Sequence, residues 1–308
     1  MGLLVFHVFC DKRGILDEQR APASPILLQV FVTTIAGSYS GSTISNYFHG
    51  VWAWHIMHGV VWHVNKPQMD ALLKAATALA PSSSKRKLRL LWTISFILAV
   101  LDQLNPTNPL HCAVKACILT IFFTAAHLGE FTILTLRSFN AAHHIKPSDV
   151  FMDTDRNGLK STCFHFPCTK TGGSEDVSFS AQEGRTDPEA ALQRHLALNK
   201  PPPNGHLFAY KCKNEHCPLT KQKLLKVATK AAKAASLDPL QGHGIQIGAT
   251  LEYLLWGVPF DVMKVKGHWA SDSFVLYLRK HAQILAPYMQ AAPAVHESFI
   301  CYSLPPVC

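Results

Sequence analysis

Two histidines and a tyrosine in residues 242–277 have the types and spacing that phosphate chemistry requires. His243 and His268 each follow a glycine, and Tyr277 stands nine residues after His268. Imidazoles accept and donate protons near neutral pH, and a tyrosine hydroxyl can act as a nucleophile. Because the surrounding chain is basic, this combination points toward phosphate chemistry on a nucleic acid.

The chain carries a surplus of positive charge. Its 308 residues include 29 lysines and arginines against 20 aspartates and glutamates, which gives a formal net charge of +9. A surplus of this size favours a polyanionic partner. Since 48% of the residues are hydrophobic, the chain can form substantial cores, and its length is sufficient for two domains.

The cysteines and the apolar runs indicate an intracellular protein. The nine cysteines are odd in number and irregularly spaced, which is typical of reduced thiols. The first residues lack a basic region and a small-residue cleavage site, so we expect no signal peptide. The most apolar run, residues 90–101, is too short to span a bilayer, and we expect no membrane partner.

The first hundred residues predict a small all-α domain, because apolar residues recur there at helical spacing. The predicted helices are residues 26–36, 44–59, 67–79 and a fourth that ends near residue 104. The segment NPTNP, residues 105–109, cannot continue a helix and marks a domain boundary. The predicted division is an N-terminal domain over 1–105, a second domain over 110–292 and an unassigned tail over 293–308.

The second domain predicts a small antiparallel sheet among helices. β-forming residues cluster at 148–152, 163–166 and 177–179, and the turn sequences DRNG and KTGG separate the clusters. Helical patterns lie on both sides of this region, including a basic amphipathic helix over residues 221–235. The predicted fold class is therefore mainly α with a small antiparallel β-sheet.

With these elements placed, the chain resembles the tyrosine recombinase family, also called phage-integrase-like, and most closely the integrase-like proteins of fungal genomes. The likeness covers roughly residues 26–290 and rests on the GHGIQ box, the Gly267-His268 pair and the tyrosine nine residues beyond it. It implies a tyrosine-recombinase catalytic fold preceded by an all-α core-binding (SAM-like) domain that grips DNA from the other side.

The resemblance implies a catalytic role for five residues. In this family a tyrosine attacks a DNA phosphate and leaves a 3′-phosphotyrosine without a metal ion, while two arginines stabilise the transition state. Tyr277 matches the nucleophile, and His268 matches the second histidine. His243 opens the H-x-x-R box, Lys170 matches the hairpin lysine that protonates the leaving oxygen, and Glu130 matches the acidic residue of R-x-x-E.

Both arginine positions of the family are substituted in this chain. The first is His127 and the second is Gln246. Losing one preorganised transition-state donor costs about 3 kcal/mol, or about 100–1000-fold in rate. We therefore expect strand cleavage to be severely impaired or absent. DNA binding should persist, because it draws on many phosphate contacts.

The resemblance also implies the protein's setting. The expected partner is double-stranded DNA, bound by a homotetramer on two duplexes. The expected origin is a mobile element, and the expected location is intracellular and nuclear. No cofactor and no metal ion is expected. Cys212, His216 and Cys217 invite a zinc interpretation, but their spacing does not form two ligand pairs, and a solvated loop is favoured.

Two basic clusters are candidates for phosphate contacts, although each could instead face water. One is the loop cluster Lys85, Arg86, Lys87 and Arg89. The other recurs mostly at three- to four-residue steps on the basic helix and comprises Lys221, Lys223, Lys226, Lys230 and Lys233.

Two alternative functions stay open. One is an active recombinase in which Arg137, Arg156 or Arg279 replaces the missing guanidiniums. The other is a non-catalytic interaction protein, or the product of a decayed element, without a role on DNA. Covalent capture of cleaved DNA and salt-dependent duplex binding separate these possibilities.

Overall fold

The computed structural model describes residues 1–84, 90–169, 173–213, 215–269 and 280–289 of the chain. The internal contacts divide the chain into two compact units, Met1–Leu88 and Arg89–Cys308. Each unit has its own hydrophobic core.

Four α-helices form the described part of the first unit. They are α1 (Gly2–Lys12), α2 (Pro25–Ile35), α3 (Gly41–Met57) and α4 (Lys66–Ala78). Helices α2 to α4 are capped by the residues just before them, Ser24, Ser40 and Asn65. Each of these side chains accepts a hydrogen bond from a backbone N–H of the first turn. Phe6 and Phe31 lie in the core between the helices. The three helices predicted over residues 26–79 are confirmed.

Helix α6 (Pro109–Thr124) is the centre of the second unit. From Cys112 to Thr124 every residue except Lys115 is buried, so the helix is surrounded by other elements. It packs against α7 (Pro188–Asn199), α8 (Lys221–Ala234) and α9 (His243–Leu255). The other described helices of this unit are α5 (Ile94–Asp102), α10 (Phe260–Lys266) and α11 (His281–Leu285).

A three-stranded antiparallel sheet packs beside these helices. Its strands are β1 (Val150–Thr154), β2 (Lys160–Phe166) and β3 (Glu175–Phe179), in the order β1-β2-β3. Phe164 of β2 pairs with Val177 of β3, and both side chains are buried in the core of the unit. The predicted sheet is confirmed. The DRNG turn closes β1 onto β2 with Gly158 at φ +83°, whereas residues 170–172 of the KTGG turn lie outside the described residues.

The second unit begins earlier in the chain than the predicted second domain. Side chains of α5, including Ile97 and Val100, pack together with Trp92 into the core of the second unit. The NPTNP segment is instead a connection within that unit, where Asn108 caps α6 and Pro109 is its first residue. Proline and asparagine interrupted the helix as expected, but the interruption does not separate two cores.

The structure adds a second, smaller hairpin that the sequence analysis interpreted as a solvated loop. Strands β4 (Tyr210–Cys212) and β5 (Glu215–Cys217) pair antiparallel, and the Nε2 of His216 lies 2.7 Å from the carbonyl oxygen of Asn199. Among the described residues, no group of three histidine, cysteine or acidic side chains has a geometry suited to a metal ion. No described helix combines the length and apolar character that crossing a bilayer requires.

Close backbone packing fixes the position of α9. The Trp92 backbone N–H donates to the Gly244 carbonyl oxygen at 3.1 Å, and its indole N–H donates to the Gln241 carbonyl oxygen at 3.2 Å. A Cβ at Gly248 would overlap the Trp92 carbonyl oxygen. Glycine is therefore required at position 248, where the backbone of α9 lies against the backbone of Trp92.

Two buried histidines make the second unit sensitive to acid. Burial lowers the pKa of His195 to about 4 and the pKa of His206 to about 3. Asn199 donates to Nδ1 of His195 at 2.9 Å, so the neutral ring donates through Nε2 to the Leu207 carbonyl oxygen at 2.9 Å. The stability that these neutral histidines provide is fully present above their unfolded pKa and is lost as the pH falls toward the folded values.

We expect the free energy of unfolding to fall between pH 6.5 and pH 4.5, by up to about 1.4 kcal/mol per pH unit for each histidine. His195→Gln keeps an amide donor but cannot titrate. It should therefore lower the slope of the free energy of unfolding against pH by up to about 1.4 kcal/mol per pH unit. Urea denaturation across the pH range measures it, with the exposed His143→Gln as the matched control. An unchanged slope in His195→Gln would contradict the assignment.

Candidate functional site

Three separate segments of the second unit contribute those predicted catalytic residues, and the two substituted arginine positions, that the structure describes. The turn after α6 carries His127 and Glu130, and the first turn of α9 carries His243 and Gln246. His268 follows the end of α10. The structure connects these segments through a continuous series of contacts.

Glu130 closes the turn that presents His127. Helix α6 ends at Ala125, whose left-handed backbone (φ +54°) reverses the chain. The Glu130 carboxylate then accepts a hydrogen bond from the His127 backbone N–H at 2.7 Å, and the Glu130 N–H donates to the His127 carbonyl oxygen at 3.0 Å. The backbone of His127 is thus held on both sides, while its side chain stays exposed.

The imidazoles of His127 and His243 stack on one another. Their ring centroids lie 6.3 Å apart and their planes differ by 15°. Gly242, just before His243, packs against the Leu128 side chain, where a Cβ would overlap the Leu128 Cδ2 atom. The turn after α6 and the start of α9 are therefore in direct contact, and this contact brings the two histidines together.

Gln246 is three residues after His243 in α9 and is buried, with 2% of its surface exposed. Neither the amide oxygen nor the amide nitrogen of its side chain has a hydrogen-bond partner among the described residues. An unsatisfied buried polar group costs about 1–3 kcal/mol. The position thus holds a buried polar group that no described residue stabilises by a hydrogen bond.

His268 follows α10 in a strained backbone conformation and pairs with an acidic residue. Its φ of +53° lies in the left-handed region, and its Nδ1 atom forms an ion pair with the carboxylate of Glu175. Gly267 is needed before it, because a Cβ there would overlap the Trp269 ring. Glu175, the first residue of β3, was not predicted, and no local pattern marks it because its partner lies far along the sequence.

Two carboxylates share this site with the three imidazoles. Burial raises the pKa of Glu130, whereas the hydrogen bond from the His127 backbone and the nearby His268 lower it, and Glu175 raises it. Glu130, His268 and Glu175 are therefore close enough for their charges to interact. The described site therefore combines imidazoles with carboxylates, and both kinds of group can transfer protons.

Lys266 is a second residue that the sequence analysis missed. Burial lowers the pKa of Lys266 to about 8. Its Nζ donates to the Ser178 carbonyl oxygen of β3 at 3.0 Å and lies 4.9 Å from the centre of the Tyr253 ring. Lys266 and His268 line the same groove, of about 450 Å³, between β3 and α10.

Several predicted site residues lie outside the described residues. They are Tyr277 and Lys170 together with the loop cluster Lys85, Arg86, Lys87 and Arg89. The lysines of α8 are described and exposed, and Lys223, Lys226, Lys230 and Lys233 lie on the side of the helix away from the buried Leu224 and Ala228. The roles of all these residues stay predictions.

Comparisons with known proteins identify the fold. No family model matches the chain, and no curated protein is significantly similar to it in sequence. Among solved structures, the chain is similar to the XerH site-specific recombinase bound to its palindromic difH substrate in a post-cleavage complex. The TM-score is 0.57 at 14% identity, over 98% of this chain and 78% of that one.

Two crystal structures of a lambda integrase dimer bound to a COC′ core site match as well. For the protein comprising residues 75–356, the TM-score is 0.50 at 14% identity, over 89% of this chain and 87% of that one. For the other, the TM-score is 0.50 at 14% identity, over 84% of this chain and only 65% of that one. The chain has the tyrosine recombinase fold, and the predicted fold class is confirmed.

The buried amide of Gln246 has no hydrogen-bond partner among the described residues, so its removal should stabilise the protein. Gln246→Met keeps the length of the side chain and removes both unsatisfied polar atoms. It should raise the free energy of unfolding by about 1–2 kcal/mol in urea denaturation. The exposed Gln241→Met is the matched control and should change it by less than about 0.5 kcal/mol. A destabilised Gln246→Met would show that the amide has a partner in the folded protein.

Proposed function

We propose that this chain is a DNA-binding member of the tyrosine recombinase family whose strand cleavage is weak. One observation carries the proposal. Residues that the sequence assigned to separate family boxes, His127, Glu130, His243 and His268, form one connected group on the tyrosine recombinase fold. Chance would not be expected to bring them together from segments so far apart in the chain.

The weakness of cleavage follows from the groups at the two arginine positions. A guanidinium binds two phosphate oxygens with a permanent charge, whereas an imidazole offers one donor and is charged only when protonated. Gln246 offers an uncharged and buried amide. Glu130 and Glu175 add negative charge to the same site. A transition state with growing phosphate charge would be poorly stabilised there.

DNA binding is supported by charge outside this site. The chain has a net charge of +9, and the exposed lysines of α8 form one stripe. XerH and lambda integrase are bound to DNA in the crystal structures that resemble this chain. Double-stranded DNA is therefore the proposed partner, with the first unit as a second gripping element. The homotetramer, the mobile-element origin and the nuclear location rest on the family resemblance alone.

Covalent capture of DNA tests whether the two substituted arginine positions limit strand cleavage. A nicked suicide duplex with a randomised central sequence should give almost no covalent adduct with the unaltered chain. The double variant His127→Arg, Gln246→Arg should raise the adduct yield by at least about 100-fold, because each restored donor is worth about 100–1000-fold. Adding Tyr277→Phe to the double variant should abolish the adduct.

Denaturing gels that resolve protein–DNA adducts provide this measurement, and thermal melting confirms that the variants fold. An appreciable adduct with the unaltered chain would contradict weak cleavage. It would favour the alternative in which Arg137, Arg156 or Arg279 supplies the missing charge.

The salt dependence of duplex binding tests whether the lysines of α8 contact DNA phosphates. Replacing Lys223, Lys226 and Lys230 by glutamate should make the negative slope of log K against log salt concentration shallower by about 2–3 units, since each lost phosphate contact removes about 0.9. Replacing the same three lysines by arginine keeps the charge and should leave the slope unchanged. Fluorescence anisotropy with a mixed-sequence duplex measures both variants. An unaltered slope in the glutamate variant would remove α8 from the interface.

A further inference from the structure

The ion pair between Glu175 and His268 gives the site a carboxylate–imidazole dyad. We propose that Glu175 is a positioning residue, which holds His268 by its Nδ1 atom and leaves Nε2 as the nitrogen that works on a DNA phosphate or a tyrosine hydroxyl. The proposal rests on the proposed function for what His268 acts upon. The arrangement of the ring itself does not depend on DNA.

Strand β3 is a rigid support for this arrangement. Glu175 pairs with Phe166 of β2, and Val177 and Phe179 of the same strand are buried in the core. The end of α10 is attached to β3 at two points, because Lys266 donates to the Ser178 carbonyl oxygen while His268 pairs with Glu175. The imidazole is therefore fixed by the strand as well as by its own helix.

The pairing decides which proton the ring carries. An ionised carboxylate can only accept a hydrogen bond, so the neutral ring must carry its hydrogen on the Nδ1 atom that faces Glu175. Nε2 then bears the lone pair and can accept a proton, for example from a hydroxyl. Once it has taken a proton, Nε2 donates to a phosphate oxygen, and the carboxylate stabilises the resulting imidazolium.

Other charged groups lie in the surroundings of this ring. Glu130 acts on it from the turn after α6, and Asp176 and Lys266 line the groove beside it. Asp176 nevertheless pairs with a different histidine, since its carboxylate lies 2.6 Å from Nδ1 of His165. Glu175 is thus the acidic partner at Nδ1 of His268, and its neighbour Asp176 provides a matched control of equal charge on the same strand.

The tautomer of His268 tests the proposal without DNA. Long-range ¹H–¹⁵N correlation spectra of the full chain, assigned with His268→Asn, should show the Nδ1–H tautomer at pH values where the ring is neutral. Glu175→Ala should shift the ring toward the Nε2–H tautomer. Asp176→Ala should leave His268 unchanged. An Nε2–H tautomer in the unaltered chain, or no change in Glu175→Ala, would overturn the proposal.

A second readout separates positioning from mere attachment of α10. In the His127→Arg, Gln246→Arg background, Glu175→Ala should shift the pH profile of adduct formation and lower its maximum at least tenfold, while Asp176→Ala leaves both unchanged. An unshifted profile in Glu175→Ala, with adducts still formed, would reduce Glu175 to a structural contact. If that background forms no adduct, the part of the proposed function that attributes weak cleavage to the two arginine positions fails. The tautomer spectra alone then decide the role of Glu175.

Discussion

The contact between the end of α6 and the start of α9 determines the whole candidate site. Helix α6 is buried along nearly its full length, and its left-handed C-cap Ala125 leads the chain into the turn that carries His127. Gly242 and Gly248 let α9 approach Leu128 and the Trp92 backbone more closely than any side chain would permit. This packing brings the rings of His127 and His243 into their stacked arrangement.

The third segment of the site is positioned by polar contacts rather than by packing alone. Lys266 and His268 attach the end of α10 to β3, one through a backbone carbonyl and the other through Glu175. The Tyr253 hydroxyl donates to the Phe123 carbonyl oxygen at 2.6 Å and connects α9 to α6 in the same way. The same contacts that hold the elements together also decide the protonation of the groups they carry, because burial and pairing favour particular charge states.

The chemistry of the site follows from which groups are present at fixed positions. Imidazoles can accept and return protons, but they provide a phosphate with less dependable positive charge than guanidiniums do. A buried amide such as that of Gln246 adds polarity without charge. Under the proposed function, such an arrangement is poorly suited to stabilising a transition state that gains negative charge.

The sequence predicted the parts of the structure that depend on local pattern. Helical spacing located α2, α3 and α4, and the DRNG turn located the β1–β2 hairpin, because each depends on residues that are close along the chain. Glu175 as the partner of His268, and the core position of Trp92, depend on tertiary contacts and could not be predicted. The β4–β5 hairpin was missed because three-residue strands carry too little pattern.

Duplex binding followed at the site histidines tests the central claim most directly. In ring ¹H–¹⁵N spectra recorded during titration with a mixed-sequence duplex, the account predicts that the signals of His127, His243 and His268 shift together, and that added salt reverses the shift. The exposed His143 serves as the reference. Saturating, salt-sensitive binding that leaves all three site signals in place would show that DNA does not reach this site.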